Sequence, residues 1–545
     1  MALMKFSHLA LFIFTSAGCA FAATAEVAPA PSAPAKAKKP VFTILEYQIT
    51  GNSLLDARDI ERTLEPFLGE GQSITNIEQA AKSLEKLYRN KGYPTVFVNI
   101  PEQDIRAGVV RMDIVEGKVQ RLRITGASHH LLSDIRKGLP SVKEGEALNL
   151  PSFQQELAKV NARSQHLRVT PVLKPGKYPG SVEVELKVKD ELPLVTQLAV
   201  NNHNSANTTR SRFEFNTAFN NLWQKDHGIS AQFQTSPENT DEVSLFGLTY
   251  LLPGIESAHR LAIYAVRSDS QVASLGGQNA FTALGKGNIY GVRYIIPFPS
   301  TADFLHSLSL GFDYKDFADT LEIGANAATN NPAARVDLAP INYGIWGLDY
   351  DITRPHENGS DRYNIGVHFG LRGLNDDAEF AAKRPNAQPN FAYLSAGLKS
   401  TREFWHGWQG RGQFKTQLTD TLLIGNEQMA SGGHDSVRGY FQSEAMGDQG
   451  FNASLELRTP SVFGARFSWL NEWRFLTFLD AGQVQIKQPA AEQIDHYTLA
   501  STGVGMRVRV FKKLSLAVDA AQALKDGSKT QAHDQRVDAE FRWEF

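Results

Sequence analysis

From about residue 192 to the end, apolar and polar positions alternate with a period of two. The clearest run is Tyr363-Asn364-Ile365-Gly366-Val367-His368-Phe369-Gly370-Leu371, apolar at every odd position and small or polar at every even one. The alternation recurs in Tyr290, Val292, Tyr294 and Ile296, in Leu308, Leu310, Phe312 and Tyr314, and in Phe451, Ala453, Leu455 and Leu457 set against Asn452, Ser454, Glu456 and Arg458. Side chains of a strand point alternately to its two faces, so each run predicts a strand with one apolar and one wet face. Charge on the wet face argues against a β-sandwich, which buries its inner face, and for a transmembrane barrel with an aqueous lumen and an apolar exterior. Such segments number roughly sixteen, an even count as bacterial single-chain barrels require. Connections after even-numbered strands are mostly short, as at Phe511-Lys512-Lys513. Others are long and polar, as at Asp316 to Pro340 and Asn375 to Pro389. Short turns predict the periplasmic end and long loops the outer one. The expected fold is an all-β transmembrane barrel of about sixteen antiparallel strands over residues 191–545, preceded by α+β domains.

Ahead of the barrel the periodicity is mixed. Val41 to Ile49 alternates like a strand, and Gly51-Asn52 breaks it. A helix is expected from Asp56 to Leu68. A second runs from about Asn76 to Asn90, with Ile77, Ala80, Ala81, Leu84, Leu87 and Tyr88 on one stripe. Strands follow at Thr95–Ile100 and Val109–Val115. The unit then repeats: Ile49-Thr50-Gly51 returns about 75 residues later as Ile124-Thr125-Gly126. Helices near Leu131–Gly138 and Phe153–Asn161 come next, then strands at Leu167–Leu173 and Val182–Val188. The expected domains span 41–118 and 119–190.

The amino terminus reads as a secretory leader over 1–22, with Lys5, an apolar stretch from Leu9 to Phe14 and a small-x-small site at Ala20-Phe21-Ala22. The single cysteine, Cys19, lies within it; Ser16 stands where a lipidation motif prefers Leu. Residues 23–40, rich in Ala, Pro and Lys, form a linker too polar to pack.

Composition narrows the class further. The formal net charge is −2, with 56 basic and 58 acidic residues well mixed, which gives no footprint for nucleic acid. Aromatics make up 10% of the chain while mean hydropathy is only −0.29. After the leader there is no apolar run long enough for a membrane helix. Phosphate-loop, H-E-x-x-H, G-x-S-x-G and paired C-x-x-C motifs are absent, so no catalysis, cofactor or metal is implied. The adjacent His129-His130 is expected at a helix start or exposed turn.

One loop carries unusual residues: Gly432-Gly433-His434-Asp435-Ser436-Val437-Arg438-Gly439-Tyr440. A glycine pair followed by a lone cation and an aromatic describes a sharp bend that places one guanidinium, although an ordinary surface turn would read the same way. On the strand count this is the sixth outer loop, between strands eleven and twelve. A second unusual residue is Asp480 in Phe478-Leu479-Asp480-Ala481-Gly482, a carboxylate inside a strand with apolar neighbours, which needs a compensating group.

Val437-Arg438-Gly439-Tyr440 with Phe478 to Gly482 resembles the outer-membrane insertase and two-partner secretion superfamily. The tandem units resemble its polypeptide-transport-associated (POTRA) domains, with Gly92-Tyr93-Pro94 through Val115-Glu116-Gly117 especially like the first such domain of haemolysin secretion/activation transporters of the ShlB/FhaC/HecB type. The resemblance implies a loop over 421–448 folded into the lumen, with Arg438 paired to Asp480 and with Phe478 and Gly482 beside it on the wall. It also implies a carboxy-terminal assembly signal in Phe541, Trp543 and Phe545. Such a protein sits in the outer membrane as a monomer, its POTRA domains in the periplasm. Its partners are a secreted adhesin- or haemolysin-like exoprotein, the outer-membrane assembly machinery and outer-membrane lipid. Many members carry a plugging helix ahead of the first domain; 23–40 leaves little room for one. Two other readings stay open: an assembly factor that inserts other barrels, and a passive channel or surface-binding barrel. The Arg438–Asp480 pair could equally serve barrel stability alone.

Overall fold

A computed structural model describes residues 41–545 apart from 106, 164–165, 179, 207, 255–257, 270–285, 300, 302, 319, 324–333, 338, 464–465 and 490–492. The expected leader, Cys19 and the linker lie outside the described residues.

One compact unit ends at Lys118. It comprises β1 (Val41–Ile44), β2 (Glu46–Thr50), α1 (Ala57–Leu64), β3 (Gly69–Ser73), α2 (Ile74–Asn90), β4 (Phe97–Asn99) and β5 (Val109–Val115). The main sheet has the order β2-β5-β4, while β1 pairs with β3. Ser73 caps α2, which buries Ile77, Ala80, Ala81, Leu84 and Tyr88. Two details differ from the expected elements. The strand expected from Val41 to Ile49 is broken at Leu45, because Gly108 O accepts both Leu45 N (2.7 Å) and Glu46 N (3.2 Å) and the two halves join different sheets. The helix expected to Leu68 ends at Leu64, and Pro66, which lacks an N–H, sits in a tighter 3₁₀ turn over Glu65–Phe67.

A second unit begins at Val119 and includes the barrel. Its first part comprises β6 (Val119–Thr125), α3 (Leu132–Lys137), α4 (Leu150–Arg163), β7 (Leu167–Pro175) and β8 (Val182–Asp190), with sheet order β6-β8-β7. Its core gathers Ile135, Leu139, Phe153, Val160 and Leu186.

The repeated Ile-Thr-Gly has a common physical cause. Gly51 (φ +81°) and Gly126 (φ +87°) both turn the chain in the left-handed region, and a Cβ on either would lie 2.2 Å from Ile114 O or 2.3 Å from Val188 O. The turn that follows is held by a carboxylate at the end of the last strand: Glu116 accepts Ser53 N (2.6 Å) and Leu54 N (3.1 Å), and Asp190 accepts Ser128 N (2.9 Å), His129 N (2.6 Å) and His130 N (2.9 Å). Burial works to raise the Asp190 pKa, yet these backbone donors hold it below the usual carboxylate value. His129 and His130 therefore lie in a turn closed over Asp190, and the His130 side chain is only 7% exposed.

The barrel closes with sixteen antiparallel strands, as the alternation predicts. They are β9 (Leu194–Asn201), β10 (Arg212–Leu222), β11 (His227–Thr235), β12 (Ser244–Pro253), β13 (Arg260–Ser268), β14 (Gly287–Pro297), β15 (Leu305–Phe317) and, after a small hairpin of β16 (Thr320–Ile323) and β17 (Ala334–Asp337), β18 (Ile341–His356). Then come β19 (Gly359–Gly370), β20 (Ala392–Phe404), β21 (Trp408–Leu418), a second hairpin of β22 (Met429–Ser431) and β23 (Ala445–Gly447), β24 (Gln449–Arg458), β25 (Leu470–Gln485), β26 (His496–Val510), β27 (Leu514–Ala523) and β28 (Gln535–Glu544). The two hairpins stand outside the barrel sheet. Every strand pairs with its neighbours in sequence order, and β28 closes on β9 through only five register pairs, Glu540↔Asn201 to Glu544↔Gln197.

Outward positions are apolar and exposed, Tyr290, Val292, Leu310, Ile365, Val367 and Leu455 among them, which suits lipid contact. The inward face is not uniformly wet. Tyr264, Val266, Ile289, Phe317, Ile341, Tyr343 and Ile345 point inward and are buried with Phe380, Phe391, Leu423 and Ile424. This corrects the expectation that 375–389 is simply an outer polar loop. Its residues Asp377–Lys383 form a short helix, α5, whose Phe380 packs against the rings of Tyr343 and Phe391 at 5.6 and 5.7 Å between centroids. The apolar inward positions meet protein there, not water.

Candidate functional site: a loop pinned to the barrel wall

The connection 419–448 joins the eleventh and twelfth barrel strands, β21 and β24. Between β22 and β23 its chain turns at Gly432 (φ +103°) and Gly433 (φ +105°) and brings Val437 to Tyr440 against inward-facing residues of β24 to β27. Register fixes those partners. Ser454 lies opposite Asp480, and Asp480 opposite Ser501, so Ser454, Glu456, Asp480 and Asp519 share the lumen face with Phe478.

Arg438 meets this wall with its whole guanidinium. Nε donates to Asp480 Oδ2 (2.8 Å) and Nη2 to Asp480 Oδ1 (2.9 Å), a bidentate fork, while the backbone N donates to Oδ2 (3.1 Å). Nη1 donates to Glu456 Oε2 (2.9 Å) and Nη2 also reaches Ser454 Oγ (3.2 Å), which itself donates to Asp480 Oδ1 (2.6 Å). The ring of Phe478 lies under the guanidinium, its centroid 3.5 Å from Cζ. Arg438 and Asp480 are 5% and 3% exposed. Two more cations complete the set: Arg458 pairs with Glu456, and Arg507 with both oxygens of Asp519 at 2.7 and 2.8 Å. Three guanidinium groups thus face three carboxylates, and charges withdrawn from bulk water are balanced where they sit.

The flanking motif residues hold the loop backbone. Val437 and Tyr440 are fully buried with Ala445, Val484, Leu499 and Ala523. Tyr440 Oη lies 2.8 Å from Lys525 O and 2.9 Å from Ala500 O, and its single proton serves one of them at a time. At Gly439 (φ +91°) a Cβ would lie 3.2 Å from Ala521 Cβ. Gly482 makes the approach possible from the wall side, since a Cβ there would lie 2.3 Å from Ser431 Oγ and 2.9 Å from Val437 Cγ2. Phe541, Trp543 and Phe545 are elsewhere, exposed on the outward face of the last strand. The backbone of Phe545 exchanges hydrogen bonds with Thr196 at 3.0 and 3.1 Å, so the final residue closes the cylinder.

Sequence reasoning alone misses Glu456, Asp519, Arg458 and Arg507 as site members. For Glu456 and Arg458 the signal was present: both lie on the wet side of the Phe451–Leu457 alternation, in phase with Ser454. It also misses a second tie. Arg384, after α5, donates from both terminal nitrogens to Asp448 and further to Leu423 O and Lys487 O, while Asp448 accepts Leu423 N (2.9 Å) and Lys487 N (2.6 Å). One guanidinium thereby joins the connections 371–391, 419–448 and 486–495. Among the described residues no cluster of His, Cys, Asp and Glu is arranged to hold a metal ion.

Comparison with known proteins agrees with this architecture. The chain is 24% identical over 446 residues to the outer membrane transporter CdiB of Dickeya dadantii (strain 3937), spanning 75% of this chain and 71% of that one. It is 21% identical over 431 residues to the heme/hemopexin transporter protein HuxB of Haemophilus influenzae (strain 86-028NP), spanning 76% and 72%. In fold it resembles CdiB from Escherichia coli, with a TM-score of 0.59 at 18% identity over 95% of this chain and 93% of that one. It also resembles BamA from Haemophilus ducreyi lacking POTRA domains 1–3, with a TM-score of 0.53 at 14% identity over 92% and 100%. Residues 42–117 match the POTRA domain of ShlB type, and residues 180–508 match the haemolysin secretion/activation protein family. The chain belongs to the haemolysin secretion/activation family ShlB/FhaC/HecB.

Proposed function

We propose that the protein takes an unfolded exoprotein from the periplasm and passes it through the barrel to the cell surface, with the Arg438 loop pinned to the wall as the transport-competent arrangement. The family is one of outer-membrane transporters of the two-partner type, with POTRA domains in the periplasm. What supports the reading most is the place of the loop: the barrel sheet closes through β28 and β9 without it, yet Arg438 is held on Asp480 and Glu456 on the lumen face of the wall. In this reading residues 119–190 act as a second POTRA domain. The outer edge of β7, nine residues long with Leu173 exposed, offers main-chain groups to an extended client. The client is an adhesin- or haemolysin-like exoprotein, the protein acts as a monomer without catalysis or cofactor, and its own insertion depends on the assembly machinery that reads Phe541, Trp543 and Phe545. Transport draws on client folding outside and on differences in binding along the path.

Arg438→Ala tests it. The substitution leaves Asp480 buried without its cation, a change of roughly 3–5 kcal/mol borne by the docked loop. Export of the exoprotein into the medium should fall at least about tenfold, while the heat-modifiable folded band in outer membranes persists. Unchanged export overturns the proposal; loss of the folded band along with export would make the pair a stabiliser of the barrel instead.

A further inference from the structure

Four cations face the lumen on three neighbouring strands with no carboxylate in contact; Asp435 and Glu456 act on Lys399 and Arg411 only through space. Arg362 on β19, Lys399 on β20 and Arg411 and Lys415 on β21 alternate with the outward Tyr363, Leu398 and Phe414. Arg362 stands directly opposite Lys399, and Lys399 directly opposite Gln413, which lies between Arg411 and Lys415. Among the described residues none of the four enters an ion pair or a side-chain hydrogen bond. Glu456 is opposite Arg411 in register, but its oxygens are engaged by Arg438 and Arg458.

Like charges set directly across paired strands repel, so this arrangement lowers the stability of the barrel. The adjoining wall shows the alternative, three guanidinium groups matched with three carboxylates. The same register row runs on from Gln413 through Ser454 to Asp480, which puts the unmatched cations level with the pinned loop. Lipid does not reach an inward face. A cavity of about 420 Å³ lies beside the loop with Arg411 and Asp435 in its lining, and Asp435 O accepts Gln413 Nε2 at 3.2 Å.

We propose that Arg362, Lys399, Arg411 and Lys415 form a carboxylate-binding surface for an extended acidic segment of the chain in transit; this rests on the transport reading above. Arg411 and Lys415 are about 13 Å apart along their strand, the separation of residues i and i+4 in an extended chain, and Lys399 lies between them in height. The surface therefore fits carboxylates at alternate positions. Binding is electrostatic, reversible and weakened by salt.

The test uses the full-length protein in lipid nanodiscs with two labelled peptides, one alternating Asp with Ser and one alternating Asn with Ser, read by fluorescence anisotropy. The Asp peptide should bind at least about tenfold more tightly, and the preference should shrink to within about twofold in Arg362→Gln/Lys399→Gln. Equal binding of the two peptides by the native protein, or an undiminished preference in the variant, overturns the proposal. Lys399→Gln alone should unfold at or above the native temperature because it relieves repulsion; a lower midpoint marks the lysine as structural and counts against a binding role. Export in cells separates the two readings: a native protein that exports its partner but does not distinguish the peptides loses only this inference, whereas failure to export removes the transport reading itself.

Discussion

At Gly482 the wall presents a hydrogen where any other residue would present carbon, and the loop occupies the space so released. Gly482→Ala places a methyl group 2.3 Å from Ser431 Oγ, so either the 429–431 strand or Val437 must retreat. A cost of roughly 1–3 kcal/mol to loop docking is expected, visible as faster proteolysis between 419 and 448 in a barrel that still shows its folded band; native protease resistance would contradict this. His203 gives the same docking a pH dependence. Its ring stacks on His434 of the loop, centroids 4.2 Å apart at 12°. Burial first, then His434, Arg536 and Arg542, depress its pKa from the ordinary 6.5 to about 2. Asp519, 3.8 Å from His434 Nδ1, is the acidic group facing the stack. The folded state keeps His203 neutral while the released state takes up a proton, so this contribution is complete above about pH 6.5 and is lost progressively toward pH 2. The thermal midpoint should therefore fall from pH 7 to pH 5, and less so in His203→Phe, which keeps the stack without the titration. An equal fall in both proteins would show that His203 is not the responsible group.

At the scale of elements, the five-pair closure between β28 and β9 is shorter than the eight pairs between β9 and β10. Phe545 contributes its backbone to that closure and its ring, beside Trp543 at 5.0 Å, to the lipid face. Deleting Phe545 should lower the yield of heat-modifiable barrel severalfold; normal yield would show that neither contribution matters for assembly. The sixteen strands were legible in the sequence because period two persists wherever one face meets lipid, and the lipid face does not depend on what fills the lumen. The inward face was legible only in part. Glu456 and Ser454 could be placed on it by phase, but Tyr343 and Ile345 face inward and apolar because α5 and Leu423 lie against them, a fact that depends on chain from distant positions. Helix α5 itself was hidden: seven residues complete too few turns to display a stripe, its cap at Asp376 and the tie at Arg384 lie just outside it, and its own Glu379 and Lys383 are engaged with Asn342 N and Ala339 O. The break at Leu45 was invisible for a similar reason, since Gly108, some sixty residues away, dictates it.

For the whole molecule, opposing requirements meet in one cylinder: the lumen must hold a folded loop firmly and yet give passage. The neutral cluster of Arg438, Arg458 and Arg507 with Asp480, Glu456 and Asp519 is the firm side, and the unmatched cations of β19 to β21 are the open side, which leaves the path along one wall and the anchor along the other. The outer end is governed by Arg384, which touches three connections at once. Those connections cannot vary independently at their roots: an insertion in one that displaces the guanidinium deprives the other two of their hydrogen bonds. A pull on the tip of any one is therefore borne at a shared root by all three, and the outer rim yields as one body or not at all.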